Sequence, residues 1–142
     1  MRIRLFAYGT LQVGHEAAHR LDVVAAEPAT IAGFRLYDTG LGWPMAAVGE
    51  DHERVHGQLL TLAGDHTSDS DTAAAFAAAD EWEGYDPDDP DGSPYERVVV
   101  EAVTAGGDRL ATHVYVSSEQ KLRRHYESAT VTLLERGVWA PG

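Results

Sequence analysis

A chain of 142 residues, 44% of them hydrophobic, has the length of one domain and enough apolar material for one core. Zero cysteines exclude disulfides, thiolate nucleophiles and cysteine-held zinc or iron–sulfur sites, leaving carboxylates, histidines, hydroxyls and backbone amides to carry any chemistry. The 23 acidic against 11 basic residues give a net charge of −12, which repels nucleic acid and excludes it as a partner.

No run approaches the roughly 20 apolar residues of a membrane span. Met1-Arg2-Ile3-Arg4 leads straight into a strand pattern without a signal-type apolar region, so the expected location is the cytoplasm. Residues 3–8 (Ile-Arg-Leu-Phe-Ala-Tyr) are rich in β-formers and stop at Gly9, predicting a strand, while residues 16–24 carry apolar side chains at spacings that suit a short helix. Residues 29–38 alternate around Ile31, Phe34, Leu36 and Tyr37, and a Gly/Pro-punctuated turn over 39–44 separates them from 45–48, giving two short strands. Residues 55–62 predict another. A polar loop over 64–71 then ends in an N-cap candidate ahead of an alanine-rich helix over 73–82, the strongest helical signal in the chain. The run 86–94 (Asp-Pro-Asp-Asp-Pro-Asp-Gly-Ser-Pro) is too proline-rich and self-repelling for regular structure and predicts a surface loop. Residues 95–103 and 109–116 alternate on either side of Ala105-Gly-Gly-Asp108 and read as a β-hairpin. Helical spacing returns over 119–135 through Leu122, Tyr126, Ala129 and Leu133, leaving 137–142 as a tail.

Two stretches match H-E-x-x-H, His15-Glu16-Ala17-Ala18-His19 and His52-Glu53-Arg54-Val55-His56. Zinc binding through that motif requires both histidines on one face of a continuous helix, with a third ligand nearby. The second copy runs into the strand over 55–62, and the first has Ala25 where a further histidine would complete it. No G-x-S-x-G elbow supports a serine nucleophile, and no glycine-rich phosphate loop implies a nucleotide cofactor.

Two features remain. In Tyr8-Gly9-Thr10-Leu11 a strand ends in a glycine-permitted turn, which is either an ordinary strand end or a nest of backbone N–H groups for a carboxylate or oxyanion. In Ala79-Asp80-Glu81-Trp82-Glu83-Gly84-Tyr85, Glu83 stands at the C-terminal end of the alanine-rich helix with aromatic residues beside it. There the helix dipole and apolar neighbours both disfavour its charge, which makes it either a solvated helix-end acid or a carboxyl tuned for proton transfer.

Taken in order, these pieces resemble the gamma-glutamylcyclotransferase-like family. The resemblance rests on Phe6-Ala7-Tyr8-Gly9-Thr10-Leu11, Trp43-Pro44-x-Ala46, Val55-x-Gly57-x-Leu59 and Asp80-x-x-Glu83-Gly84-Tyr85. Tyr95-x-Arg97, Val114-Tyr115-Val116 and Gly137-Val-Trp139 continue it, so that it spans residues 3 to about 117 with a looser echo to 139. The chain departs from the family pattern at Ala79, where leucine is usual, at Gln58-Leu59-Leu60 in place of Glu-Leu-Tyr, and in the length of the loop 86–94.

The resemblance implies a single α+β (mixed) domain over 1–142: a small β-barrel with outer helices, its core at about 3–117 and a C-terminal helix and tail over 118–142. It also implies release of an amine from a gamma-glutamyl amide as the glutamyl part closes to 5-oxoproline, without metal or cofactor. Glu83 would be the general acid and base, and Tyr8, Gly9, Thr10 and Leu11 would hold the substrate's α-carboxylate. Tyr115 is the candidate for the oxyanion, or else a packed barrel aromatic. The partner implied is a small gamma-glutamyl compound whose amine half stays open, as does the choice between monomer and homodimer. A non-catalytic binding module on the same fold, an interaction protein using the loop 86–94, and a zinc hydrolase are the alternatives.

Overall fold

The computed structural model describes residues 3–9, 23–39, 44–62, 69–83, 85–86, 88–89, 95–117, 132–134 and 137–138. Eight strands account for most of them: β1 (Arg4–Ala7), β2 (Val23–Ala32), β3 (Phe34–Asp38), β4 (Pro44–Val48), β5 (Arg54–Leu62), β6 (Glu96–Thr104), β7 (Arg109–Val116) and β8 (Thr132–Leu134). One α-helix, α1 (Asp69–Glu83), stands among them.

Five strands close into a barrel in the order β1-β5-β2-β6-β7. Their neighbours run antiparallel except for the closing pair, in which β7 joins β1 in parallel through Leu5 and His113. Closure pairs both edges of the sheet, through Leu5 and His113 where β1 meets β7 and over three residue pairs where β2 meets β6. Leu5, Phe6, Ile31, Val55, Leu59, Leu60 and Val114 fill the core and are essentially inaccessible to solvent. Where β5 crosses β1 the backbones approach so closely that a Cβ on Gly57 would sit 2.3 Å from the Ala7 carbonyl oxygen. The Val55-x-Gly57-x-Leu59 pattern is thus a packing requirement.

The remaining strands form a three-stranded sheet, β4-β3-β8. It is fastened to the barrel where Ala47 bridges Ser117 and the Ser117 amide donates to the Ala46 carbonyl at 2.6 Å. The architecture is the expected α+β (mixed) single domain, a small barrel with a helix packed outside.

Several boundaries differ from the sequence expectation. Val23 and Val24 belong to β2 rather than to a helix over 16–24, because the antiparallel register with β5 extends back to Val23 opposite Leu62; residues 16–22 lie outside the described set. The helix begins at Asp69, earlier than 73. Thr132–Leu134 is a strand and not the end of a helix over 119–135, since it completes the free edge of β3 with Leu133 opposite Tyr37. Residues 119–131 lie outside the described residues. Of the acidic loop, Asp86, Asp88 and Asp89 are exposed and form a turn closed by the Asp89 amide on the Asp86 carbonyl at 3.0 Å. Among the described residues, no helix is long and apolar enough to cross a membrane.

Candidate active site

The helical period places Phe76, Ala79, Asp80 and Glu83 on one side of α1. Phe76, Ala79 and Asp80 are buried, whereas Ala74, Ala77, Ala78 and Glu81 on the other side are exposed. The last turn of α1 contains acids and no base. Compensation comes from the barrel. Antiparallel pairing sets Arg97 of β6 opposite Tyr115 of β7, and Val99 opposite His113, so Arg97, His113 and Tyr115 share one sheet face. That face meets α1.

Asp80 is the hub. Arg97 grips it side-on, with Nε 3.0 Å from Oδ1 and Nη2 3.4 Å from Oδ2. The Tyr115 hydroxyl donates to the same Oδ1 at 2.5 Å. Arg97 also places Nη1 3.2 Å from His113 Nδ1, and its guanidinium lies over the Phe76 ring at 4.4 Å and nearer the edge of reach over Tyr85 at 5.9 Å. Phe76 in turn packs on the His113 ring, the centroids 4.8 Å apart. All three guanidinium nitrogens are therefore occupied.

Glu83, one turn beyond Asp80, is in a different position. It is half-buried, and no described residue donates a hydrogen bond to its carboxylate. Burial, and secondly the negative charge of Asp80, push its pKa from the ordinary 4.5 up to about 8. The Tyr115 hydroxyl is pushed up as well, first by burial and then by its bond to Asp80. His113 is held below the ordinary histidine value by burial and by the adjacent Arg97, so its ring is neutral with Nδ1 accepting.

Tyr8 and Gly9, the described part of the N-terminal turn, adjoin this cluster; Thr10 and Leu11 lie outside the described residues. The Tyr8 hydroxyl donates to the Tyr115 carbonyl at 2.5 Å and accepts from the Ala46 amide at 3.2 Å. Tyr8 thus spends its side chain on the frame around Tyr115. Gly9 runs against Pro44, whose Cδ would be 2.8 Å from any Cβ at position 9. The structure brings Tyr8, Tyr115 and the helix end bearing Glu83 together through two hydrogen bonds and Asp80. It also constrains Tyr115: its one phenolic proton is committed to Asp80, so in this arrangement its oxygen has lone pairs, not a proton, to offer a ligand.

The second H-E-x-x-H copy is a turn and strand. His52 closes a turn, Arg54 begins β5, and the Glu53 carboxylate accepts from the Glu50 amide at 2.8 Å and from Arg35 Nε at 2.6 Å. These bonds hold Glu53 below the ordinary carboxylate range. No group of three or more histidine, aspartate or glutamate side chains suited to a metal occurs among the described residues, which do not include His15, Glu16 and His19. A groove of about 310 Å³ between β3, β8 and the start of β5 is lined by Arg35, His52, Glu53 and Arg54 and contains none of Tyr8, Asp80, Glu83, Arg97, His113 and Tyr115.

A family model described as gamma-glutamyl cyclotransferase, AIG2-like matches residues 5–140. The chain belongs to that family. Solved structures share its fold at low identity. An AIG2-like protein from Mus musculus aligns with a TM-score of 0.65 at 18% identity, over 98% of this chain and 88% of that one. YkqA from Bacillus subtilis aligns with a TM-score of 0.64 at 20% identity over 98% of this chain, which spans only 40% of the length of YkqA. A structure titled gamma-glutamyl cyclotransferase gives a TM-score of 0.55 at 16% identity, over 94% of this chain and 72% of that one. No curated protein matches the sequence. Membership places the chain among cyclotransferase-type proteins, while these identities carry the fold alone.

Within this gamma-glutamyl cyclotransferase, AIG2-like domain, Asp80, Arg97, His113 and Phe76 belong to the cluster although the sequence alone gives them no role. Asp80 and Arg97 lie in the Asp80-x-x-Glu83-Gly84-Tyr85 and Tyr95-x-Arg97 motifs, and the i, i+3 spacing of Asp80 and Glu83 on a helix is the sequence signal that links the two carboxylates.

Proposed function

We propose that the protein is a gamma-glutamylcyclotransferase acting on a small gamma-glutamyl amide, with Glu83 as its general acid and base. The observation that carries this reading is the Glu83 carboxyl at the end of α1, held near pKa 8 within a cluster that also contains Tyr115. The Tyr8 to Leu11 turn would take the substrate's α-carboxylate on its backbone amides and fix the folded conformation that cyclisation requires.

The bond changes balance without metal, cofactor or water. The ionised Glu83 carboxylate removes a proton from the substrate's α-ammonium. The freed amine attacks the carbonyl carbon of its own side-chain amide, closing a five-membered ring. As the tetrahedral adduct collapses, the bond to the leaving nitrogen breaks and Glu83 returns the first proton there; the second proton, left on the ring nitrogen, then passes through the same carboxylate to the released amine, giving 5-oxoproline and an ammonium ion. A group that must take and return one proton works best near the operating pH, and a carboxyl titrating at about 8 is far closer to that than an ordinary glutamate. Tyr115 fits as an acceptor for the α-ammonium better than as an oxyanion donor, given its bond to Asp80.

The test is to screen gamma-glutamyl amines by mass spectrometry for 5-oxoproline with the wild type and Glu83→Gln. The expected result is turnover of at least one amide and a loss of about 10²–10⁴-fold in kcat for the variant, which keeps its circular dichroism spectrum. Equal turnover by the two proteins refutes the role of Glu83. Binding by calorimetry with no product from either would assign the site to recognition.

A further inference from the structure

Two carboxyl groups one helical turn apart and partly withdrawn from water do not both ionise freely; whichever has more donors takes the charge and leaves the proton to the other. Asp80 has three donors from two strands: Arg97 Nε, Arg97 Nη2 and the Tyr115 hydroxyl. Glu83 has none among the described residues. Arg97 cannot turn toward Glu83 without giving up Asp80 or His113, and its guanidinium is further fixed over Phe76. We propose that Asp80, pinned by Arg97 and Tyr115, is a positioning residue that places the proton of this carboxyl pair on Glu83.

Among the described residues, the groups facing the pair can be named from each packed element. On α1 they are Asp80 and Glu83 themselves; β6 supplies Arg97; β7 supplies His113 and Tyr115; and Tyr85 follows the helix. His113 belongs to the same device. A neutral ring accepts from Arg97 Nη1 and keeps the guanidinium turned toward Asp80, whereas a protonated ring would repel it. In this scheme Asp80 touches no substrate. It contributes a negative charge held in place by Arg97 and Tyr115, and it raises the proton affinity of its neighbour through space. The consequence for catalysis rests on the function proposed above, but the location of the proton does not.

That location can be read directly by carbon NMR of the side-chain carboxyl groups, with the Glu83 signal identified by its loss in Glu83→Gln. In the wild type at pH 6, Glu83 is expected as the neutral acid and Asp80 as the carboxylate; the reverse assignment overturns the proposal without any variant. The double variant Asp80→Asn with Arg97→Met removes the charge without stranding a buried guanidinium. In it the Glu83 midpoint is expected to fall by roughly one pH unit or more, and an unchanged midpoint in the folded variant would show that burial alone holds the proton. If the midpoint falls and the rising limb of the rate profile moves with it, both readings stand. A falling midpoint with an unmoved rate profile keeps Asp80 in its role and removes Glu83 from the proton transfer, so the two ideas fail separately.

Discussion

Glu83 carries a carboxyl whose pKa has moved from 4.5 to about 8, and two measurable consequences follow from the sign of that shift. The first concerns rate. Glu83 must be ionised to accept the α-ammonium proton, so kcat/KM should climb about tenfold per pH unit toward a midpoint near 8 and then level; a limb centred between 4 and 5 would contradict the shift. The second concerns stability. Below pH 4.5 the residue is protonated in both folded and unfolded chains and burial exacts no ionisation cost. Between 4.5 and 8 the unfolded chain releases the proton while the folded one retains it, so stability falls with rising pH by at most ~1.4 kcal/mol per unit, and above 8 the loss is complete. Glutamine does not titrate. Glu83→Gln should therefore match the wild-type melting temperature near pH 4.5 and exceed it progressively up to pH 8, as scanning calorimetry at several pH values would show. At this scale the sequence disclosed a helix-end acid next to aromatic residues, which suffices to single out Glu83. It did not disclose the partners of Asp80, because Arg97 and Tyr115 lie 17 and 35 residues away and meet it only through strand register.

Among the elements, β1 and β5 owe their contact to one missing side chain. A Cβ at Gly57 would lie 2.3 Å from the Ala7 carbonyl oxygen and 3.0 Å from the Phe6 ring, and neither can retreat, since one is backbone and the other is buried in the core. Gly57→Ala should cost about 3 kcal/mol, the upper end of ordinary overpacking, and urea unfolding would register it as a lower midpoint with little change in slope. The strands flanking this contact were legible because their period-2 alternation survives in the sequence: 55–62 became Arg54–Leu62, and the hairpin 95–103 with 109–116 became β6 and β7. The failures share a physical cause. Val23 and Thr132–Leu134 are strands because a neighbouring edge recruits them, at Leu62 of β5 and at Tyr37 of β3. Nothing in a short apolar segment's own spacing records that an edge is waiting for it.

At the scale of the whole molecule, the candidate site adjoins the seam between the barrel and the three-stranded sheet through Tyr8, so its geometry depends on how firmly the two are joined. Three bonds fasten the seam on strand β4: the Tyr95 hydroxyl on the Pro44 carbonyl at 2.5 Å, the Ala46 amide on the Tyr8 hydroxyl at 3.2 Å, and the Ser117 amide on the Ala46 carbonyl at 2.6 Å. Tyr8 is the most consequential because the same hydroxyl donates to the carbonyl of Tyr115, the residue that holds Asp80. Tyr8→Phe keeps the ring in the core and leaves a buried donor and a buried acceptor unmatched, which should cost about 2 kcal/mol. Hydrogen exchange tells a local defect from a global one. If the hydroxyl fastens the sheet to the barrel, the Ala46 amide exchanges at least tenfold faster in the variant while amides of the barrel core, such as that of Val114, slow or quicken only with overall stability. Uniform acceleration across both sheets would mean that the seam opens only when the whole molecule unfolds. In that case Tyr8 contributes to stability in general, and the site's alignment relies on Tyr95 and Ser117 instead.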